Sequence, residues 1–409
     1  MAKKSYRKLQ VSQDLTRMMT LYYAKMKITG RLRPVAWVSS GAPVEVLVAL
    51  GVLPLYPENY GAVLGAQRAA VPLIEESEAR GYSPDLCSYV TGHLGSVFAP
   101  EKAPMKGLPK PDMLVAGNNI CGTVVKWYEA LADHFDVPLF ILDTPYQHEP
   151  EMTEHAVSYV VAQMEEFIAW AEKQTGRRLK QTKFVQTLEL SNEAVGLWRE
   201  IRELCIHRPS PLNAPDLFTQ MAPIVVLRGT KQCVEHYRKL KAEVEERVEQ
   251  GIGAVPDERY RLLWDNIAIW PELFRFYHLF SRAGACFVCD TYTNAWSRSV
   301  QTGDPLEGLA RAYSTVYINM SVQTRTRMMV DMADRFGIDG AVLHANRSCK
   351  PYSLGQHDFR QAIMDEVGVP ALLLEADMCD TRVYTKGAIR TRVEAFLEML
   401  DNKHVLTYN

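Results

Sequence analysis

Cysteine is the residue type with the most chemistry to offer in this chain. The 409 residues include eight: Cys87, Cys121, Cys205, Cys233, Cys286, Cys289, Cys349 and Cys379. They are widely scattered and no apolar signal peptide precedes them, so free thiols, nucleophiles or metal ligands are expected rather than a disulfide framework. Most free cysteines are small buried apolar residues, and their setting has to separate the exceptions. Cys121 stands in "LVAGNNICGTVVKWYE" (114–129), where an apolar strand passes into an amphipathic pattern. In a parallel α/β sheet that junction is the carboxyl edge, where ligands collect.

The second half of the chain repeats the arrangement. "MLVAGNNIC", a helix and "DVPLFILD" correspond to "AVLHANRSC", a helix and "GVPALLLEAD". Each is a strand, an Asn-x-x-Cys turn (Asn118 to Cys121, Asn346 to Cys349), a helix, a Val-Pro, a strand and an acidic end. One reading is chance similarity of two βαβ units. The other is two related lobes, each presenting a cysteine at its carboxyl edge, with Cys121 and Cys349 approaching one cleft. Cys87 follows Ser83-Pro84-Asp85, a turn and helix-start signal, which puts its thiol in a first helical turn where the dipole favours thiolate. Four thiolates complete the shell of a cubane iron–sulfur cluster, and three leave one iron open to water or substrate. An open metal site can do chemistry, whereas a closed one carries electrons or holds structure.

Cys286-Phe287-Val288-Cys289 is the one C-x-x-C. It lies within an apolar run and has no second half-site, so it reads as core packing. Cys205 and Cys233 have no comparable setting, and Cys379, after a strand end, is a second-tier candidate. Two further groups are candidates. "VAWVSSGAPVE" is a strand running through Ser40 into a helix whose free amides could hold an anion or a carbonyl. "LYPENYG" puts Glu58 after a short apolar strand, as a site base or as an ordinary cap. No G-x-S-x-G, H-E-x-x-H, G-x-G-x-x-G or G-x-x-x-x-G-K-[ST] occurs, so nucleotide hydrolysis by this chain is not expected.

These residues need a scaffold. The length exceeds what one core usually serves, and 47% hydrophobic residues suffice for two domains. A net charge of -2 argues against a nucleic-acid surface. No run reaches the roughly 18 apolar residues of a membrane span, and a cytoplasmic location is expected. Strands are predicted at 35–40, 112–117, 137–143, 285–290, 340–345 and 370–377, separated by helices such as 154–176 and the segment from Thr230 to Gly251. Continuous apolar strands alternating with helices predict an α/β fold of two Rossmann-like parallel-sheet lobes with the site in the cleft between them. The predicted division is a helical N-terminal arm (1–30), a first α/β domain (31–204), a proline-bearing linker (205–220) and a second α/β domain (221–409).

With these residues assembled, the chain resembles the benzoyl-CoA reductase and 2-hydroxyacyl-CoA dehydratase subunits over nearly its whole length. The resemblance rests on "RPVAWVSSGAPVE", "LYPENYG", "RGYSPDLCSY", "PKPDMLVAGNNICGTVVKWYE", "VPLFILDTPY", "SPLNAPDLF", "YRLLWDNIAIWP", "TYTNAW", "HANRSCKPYS" and "RTRVEAFLEML". It implies an oxygen-sensitive 4Fe-4S cluster, held between two α/β domains on Cys87, Cys121 and Cys349. It implies further that Ser40 and Glu58 line the acyl-CoA site. The implied partners are a homologous second cluster-bearing subunit and an ATP-hydrolysing 4Fe-4S activator that drives electrons into the heterodimer, with no nucleic acid or membrane involved. "SGAPVE" and "DTYTNAW" depart from the Phe-Pro and Pro-His-Ala-Trp associated with fermentative dehydratases. The expectation is therefore a benzoyl-CoA reductase subunit that reduces the aromatic ring to a cyclohexadiene-carbonyl-CoA. The alternatives are an (R)-2-hydroxyacyl-CoA dehydratase subunit acting through a ketyl radical, and a non-catalytic electron-transfer subunit with Cys379 as fourth thiolate. A cofactor-free CoA-binding protein is a further class.

Overall fold

The computed structural model describes residues 9–30 and 32–407, so the first eight residues of the predicted arm lie outside it. Eight strands form two four-stranded sheets. The first contains β1 (Val35–Val38), β2 (Leu53–Leu55), β3 (Met113–Gly117) and β4 (Leu139–Leu142), in the order β2-β1-β3-β4. The second contains β5 (Tyr260–Asp265), β6 (Ala285–Asp290), β7 (Gly340–Asn346) and β8 (Ala371–Ala376), in the order β6-β5-β7-β8. Every pairing is parallel, and the two orders are the same pattern used twice. In each sheet the chain turns one way from its first strand and then crosses back. The loops after β1 and β3, and after β5 and β7, therefore flank a topological switch point, which opens a crevice at the strands' carboxyl ends.

The predicted strands all appear. β5 was absent from the expected set because Arg261 interrupts its apolar run. That guanidinium is buried and gathers the carbonyls of Cys205, Ile206, His207 and Phe336, together with the Glu258 carboxylate at 2.9 Å. A buried charge is tolerable only with such full satisfaction. The same contacts anchor the proline-bearing stretch 205–220. Asn213 caps its helix Ala214–Gln220 in a capping box with Asp216 and also accepts from the Phe287 amide of β6. The stretch is thus packed against the second sheet.

The long helices follow their sequence signals. Glu154–Thr175 starts at Thr153, whose hydroxyl accepts from the Ala156 amide, and stops at Gly176 with φ 64°. Lys231–Glu249 starts at Thr230, capped onto Cys233. The N-terminal helix Val11–Thr29 docks on it, with the Gln10 and Val11 amides donating to the Glu243 carboxylate. One apolar core joins the inner faces of both sheets to the helices Gln181–Glu203 and Lys231–Glu249. The helices Pro57–Ala66 and Ala70–Glu78 come from the first half, yet their Tyr60, Leu64 and Leu73 share a second core with Trp264 and Phe287 of the second sheet. The two sheets are therefore bound together by swapped packing. Among the described residues no helix is long and apolar enough to cross a membrane.

The helix Ser88–Phe98 lies close against Ala70–Glu78 because Gly95 has no side chain. A β-carbon there would collide with the Leu73 carbonyl oxygen, a backbone atom that cannot step aside. Gly95→Ala is expected to cost about 1–3 kcal/mol, the range for overpacking, read as a lower urea midpoint. Gly92→Ala, whose added methyl finds only ordinary contacts, is the control expected to hold or raise stability.

Candidate functional site

The carboxyl edges of the two sheets enclose a cavity of about 360 Å³, and Ser40, Glu58, Cys87, Cys121 and Cys349 all line it. Ser40 leaves β1, Glu58 follows β2, Cys121 follows β3 and Cys349 follows β7. Cys87 arrives on the long connection between β2 and β3. Residues as distant in sequence as Ser40 and Cys349 thus meet at one place, because each ends a strand or begins a helix there.

The three thiols share one local design. Cys87 immediately precedes the helix Ser88–Phe98, Cys121 precedes Gly122–Phe135 and Cys349 precedes the short helix Lys350–Ser353. Burial pushes all three thiols up, Cys349 to about 12, and the neighbouring thiols push Cys87 and Cys349 further in the same direction. The free amides of the first helical turns oppose this: Val90 and Tyr89 toward Cys87, Val124 and Thr123 toward Cys121, Tyr352 toward Cys349. Without a bound group the thiols stay neutral, and a bound cationic centre would convert them to thiolates. Among the described residues no three His, Cys, Asp or Glu side chains stand close enough for a single ion. A lone zinc draws sulfurs to about 2.3 Å, whereas a four-iron cluster carries each thiolate on a separate iron. Thiols that are half-buried (Cys87 and Cys121) or buried (Cys349), spaced around a cavity and backed by free amides, fit the larger body.

The other cysteines are placed differently. Cys379 is off the cavity wall, and its thiol donates to the Gly61 carbonyl at 3.2 Å. Cys286 and Cys289 lie in β6, where a bulge opposite Leu262 and Leu263 brings both into the same core. Cys205 and Cys233 are buried in that core as well.

Ser40 and Glu58 form a pair. The Ser40 amide donates to one Glu58 carboxylate oxygen at 2.5 Å and its hydroxyl to the other at 2.9 Å. Burial raises the Glu58 pKa above the ordinary glutamate value, and the two bonds from Ser40 act against that rise. The Glu58 side chain lines the cavity half-buried, and Cys121 stands near enough to feel its charge.

Sequence reading missed the rest of the wall. Arg228 and Tyr313 line the cavity, and behind them Glu45 is wholly buried, accepting from Ser191 at 2.8 Å and Tyr313 at 2.6 Å with the Arg228 guanidinium 3.9 Å away. Arg298 and Lys350 add positive charge, and burial lowers the Arg298 pKa to about 10. Tyr292, Tyr317, Tyr352 and Trp270 supply aromatic faces. A lone acid in "APVEVLVALG" hints at a buried partner, but the partners lie 146 and 268 residues away.

Residues 39–400 match the model of the family described as 2-hydroxyglutaryl-CoA dehydratase, D-component. The chain belongs to that family. Within this dehydratase family, it is 34% identical over 378 residues to the (R)-2-hydroxyisocaproyl-CoA dehydratase alpha subunit of Clostridioides difficile, covering 91% of this chain and 92% of that one. It is 31% identical over 382 residues to the alpha subunit of lactoyl-CoA dehydratase from Anaerotignum propionicum, covering 90% of each. Against a benzoyl-CoA reductase subunit of Thauera aromatica the identity is 28% over 374 residues, covering 88% and 87%. These relatives are named as enzyme subunits. Two loop segments, "SGAPVE" and "DTYTNAW", had pointed to the reductase, and the identity over the whole chain favours the dehydratases instead.

Cavity access gives a direct check on the thiols. In native, metal-free protein, iodoacetamide is expected to label Cys87, Cys121 and Cys349 well before the other five, which react only after denaturant is added. Peptide mass spectrometry at a series of times reads the order.

Proposed function

We propose that this chain is the α-type subunit of a 2-hydroxyacyl-CoA dehydratase, with Cys87, Cys121 and Cys349 as the ligands of a 4Fe-4S cluster. The observation that carries the reading is the convergence on one cavity of three thiols that each directly precede a helix and of the Ser40–Glu58 pair. When bound, such a cluster supplies a low-potential electron and an open iron that can polarise a thioester. The rest is work for the protein. The aromatic walls, Tyr292 and Tyr352 among them, suit an apolar acyl group and keep water out. Arg298 and Lys350 give the cavity the positive charge that the phosphates of coenzyme A require. Glu58, inclined toward its protonated form, delivers a proton to the departing 2-hydroxyl, which leaves as water. Ser40 holds the carboxyl in place, and the C3 proton lost as the double bond forms returns to the Glu58 carboxylate, so the acid is regenerated. The overall reaction is redox-neutral, giving a 2-enoyl-CoA and water from the 2-hydroxyacyl-CoA. The partners are a homologous second subunit and an ATP-hydrolysing 4Fe-4S activator, since this chain has no phosphate-binding loop of its own. The aromatic walls also suit an aryl group, which keeps ring reduction of benzoyl-CoA as the second reading.

Anaerobic co-purification with the partner subunits, followed by assay on (R)-2-hydroxyisocaproyl-CoA and on benzoyl-CoA, separates the two. Formation of the enoyl-CoA with benzoyl-CoA untouched is expected, and the reverse would establish the second reading. Cys121→Ala is expected to lose most of the bound iron, and Cys286→Ala to keep it. Glu58→Gln is expected to keep iron and substrate binding while turnover falls about 100- to 10,000-fold, the usual loss for a general acid. Because Glu58 acts protonated and its pKa lies above the ordinary value, turnover should decline as pH rises through that pKa. The variant should lose this limb of the profile.

A further inference from the structure

The acid that ends β8 does something its counterpart in the first sheet does not. Asp377 is 3% exposed, and four donors converge on it. Its Oδ1 accepts from the Ser88 hydroxyl at 2.7 Å, the Cys379 amide at 2.9 Å and the Asp380 amide at 2.8 Å. Its Oδ2 accepts from the Ser348 amide at 3.2 Å. The two serines are joined as well: the Ser88 amide donates to the Ser348 hydroxyl at 3.1 Å, which donates in turn to the Ser88 hydroxyl at 3.2 Å. Ser88 directly follows Cys87 and Ser348 directly precedes Cys349. Through the Ser88 hydroxyl and the Ser348 amide, one carboxylate therefore links the neighbours of two site thiols across the cleft, one from each half of the chain. The counterpart Asp143, at the end of β4, accepts from Asn118 and from the exposed Tyr159 and makes no such bridge. Among the described residues no lysine, arginine or histidine is paired with Asp377, so its negative charge is met by neutral donors alone. Buried charge in low dielectric acts strongly on its neighbours.

We propose that Asp377 is a positioning residue for the metal centre: it fixes the spacing of Cys87 and Cys349, and its charge lowers the centre's reduction potential. Net charge and hydrogen bonding around a cluster are the protein's main levers on that potential. The inference rests on the three-thiol cluster reading above. A low potential is what an electron donor to a thioester needs, so the same residue serves assembly and driving force.

The test compares Asp377→Asn and Ser348→Ala with wild type, each purified anaerobically with the partner subunits. Iron content and an EPR-monitored redox titration are the readouts, and circular dichroism confirms folding. Asn keeps the volume and the Oδ1 acceptor, removes the charge and gives up the bond from the Ser348 amide, because its Nδ2 cannot accept. Its cluster is expected to reduce more easily by about tenfold in the one-electron equilibrium, about 59 mV upward. Ser348→Ala removes a strand of the bridge and leaves the charge, so it is expected to lose iron several-fold faster to a chelator at unchanged potential. A purely structural role would move both variants alike. A wild-type chain that binds no iron would overturn the cluster reading itself. Wild-type protein with a cluster, beside an Asp377→Asn variant of the same potential, would overturn this inference and leave the reading standing.

Discussion

A site at the carboxyl edge of a parallel sheet opens outward, and a single sheet cannot close it. In this chain the closing surface is the corresponding edge of a second sheet, so everything at the site depends on holding two edges together. Swapped packing does much of that. Helices that follow β2 bury Tyr60 and Leu64 against the aromatic core of the second sheet. The Trp270 indole then donates to the Tyr89 hydroxyl at 2.6 Å, two residues beyond Cys87. Arg68 from the first half reaches the Pro271 carbonyl at 2.9 Å and the Glu272 carboxylate. Loosening these contacts would leave each thiol intact and still dissolve the site.

Burial sets the chemistry of what is enclosed. Taking a thiol or a carboxyl out of water favours its neutral form, and the raised pKa values of Cys87, Cys121, Cys349 and Glu58 share that first cause. The protein answers with directed donors rather than with opposite charges. First-turn amides face the sulfurs, and Ser40 faces Glu58. Behind the wall the compensation combines both: Glu45 accepts from Ser191 and Tyr313 and has the Arg228 guanidinium 3.9 Å away. Neutral donors hold an anion without neutralising it.

Much of this was legible in the sequence because it is local. A thiol after an apolar strand and an Asn-x-x-Cys turn announces its own place at a sheet edge; Ser83-Pro84-Asp85 pointed to a helix containing Cys87 in its first turn, whereas the helix begins one residue later, at Ser88. Gly176 and Thr230 marked helix ends, since caps are decided within four residues. β5 escaped notice because Arg261 breaks its apolar pattern, and only the carbonyls of Cys205 to His207 and Phe336 explain how that arginine can be buried. The stretch 205–220 read as a linker from its prolines, while its packing on β6 depends on Asn213 meeting Phe287, 74 residues on.

By itself, then, the sequence determined which residues end strands and begin helices, showed a strand, Asn-x-x-Cys and helix pattern in both halves, and marked Cys286 and Cys289 as core while leaving Cys379 open. These follow from periodicity, capping and turn chemistry, which act over a few neighbours. Tertiary structure alone decided that the two edges face each other, that Ser40 bonds Glu58, and that Asp377 bridges Ser88 to Ser348 while Asp143 makes no such bridge. Those outcomes depend on how surfaces hundreds of residues apart pack, and packing is settled by the shape and satisfaction of the whole core. No short stretch of the chain contains it.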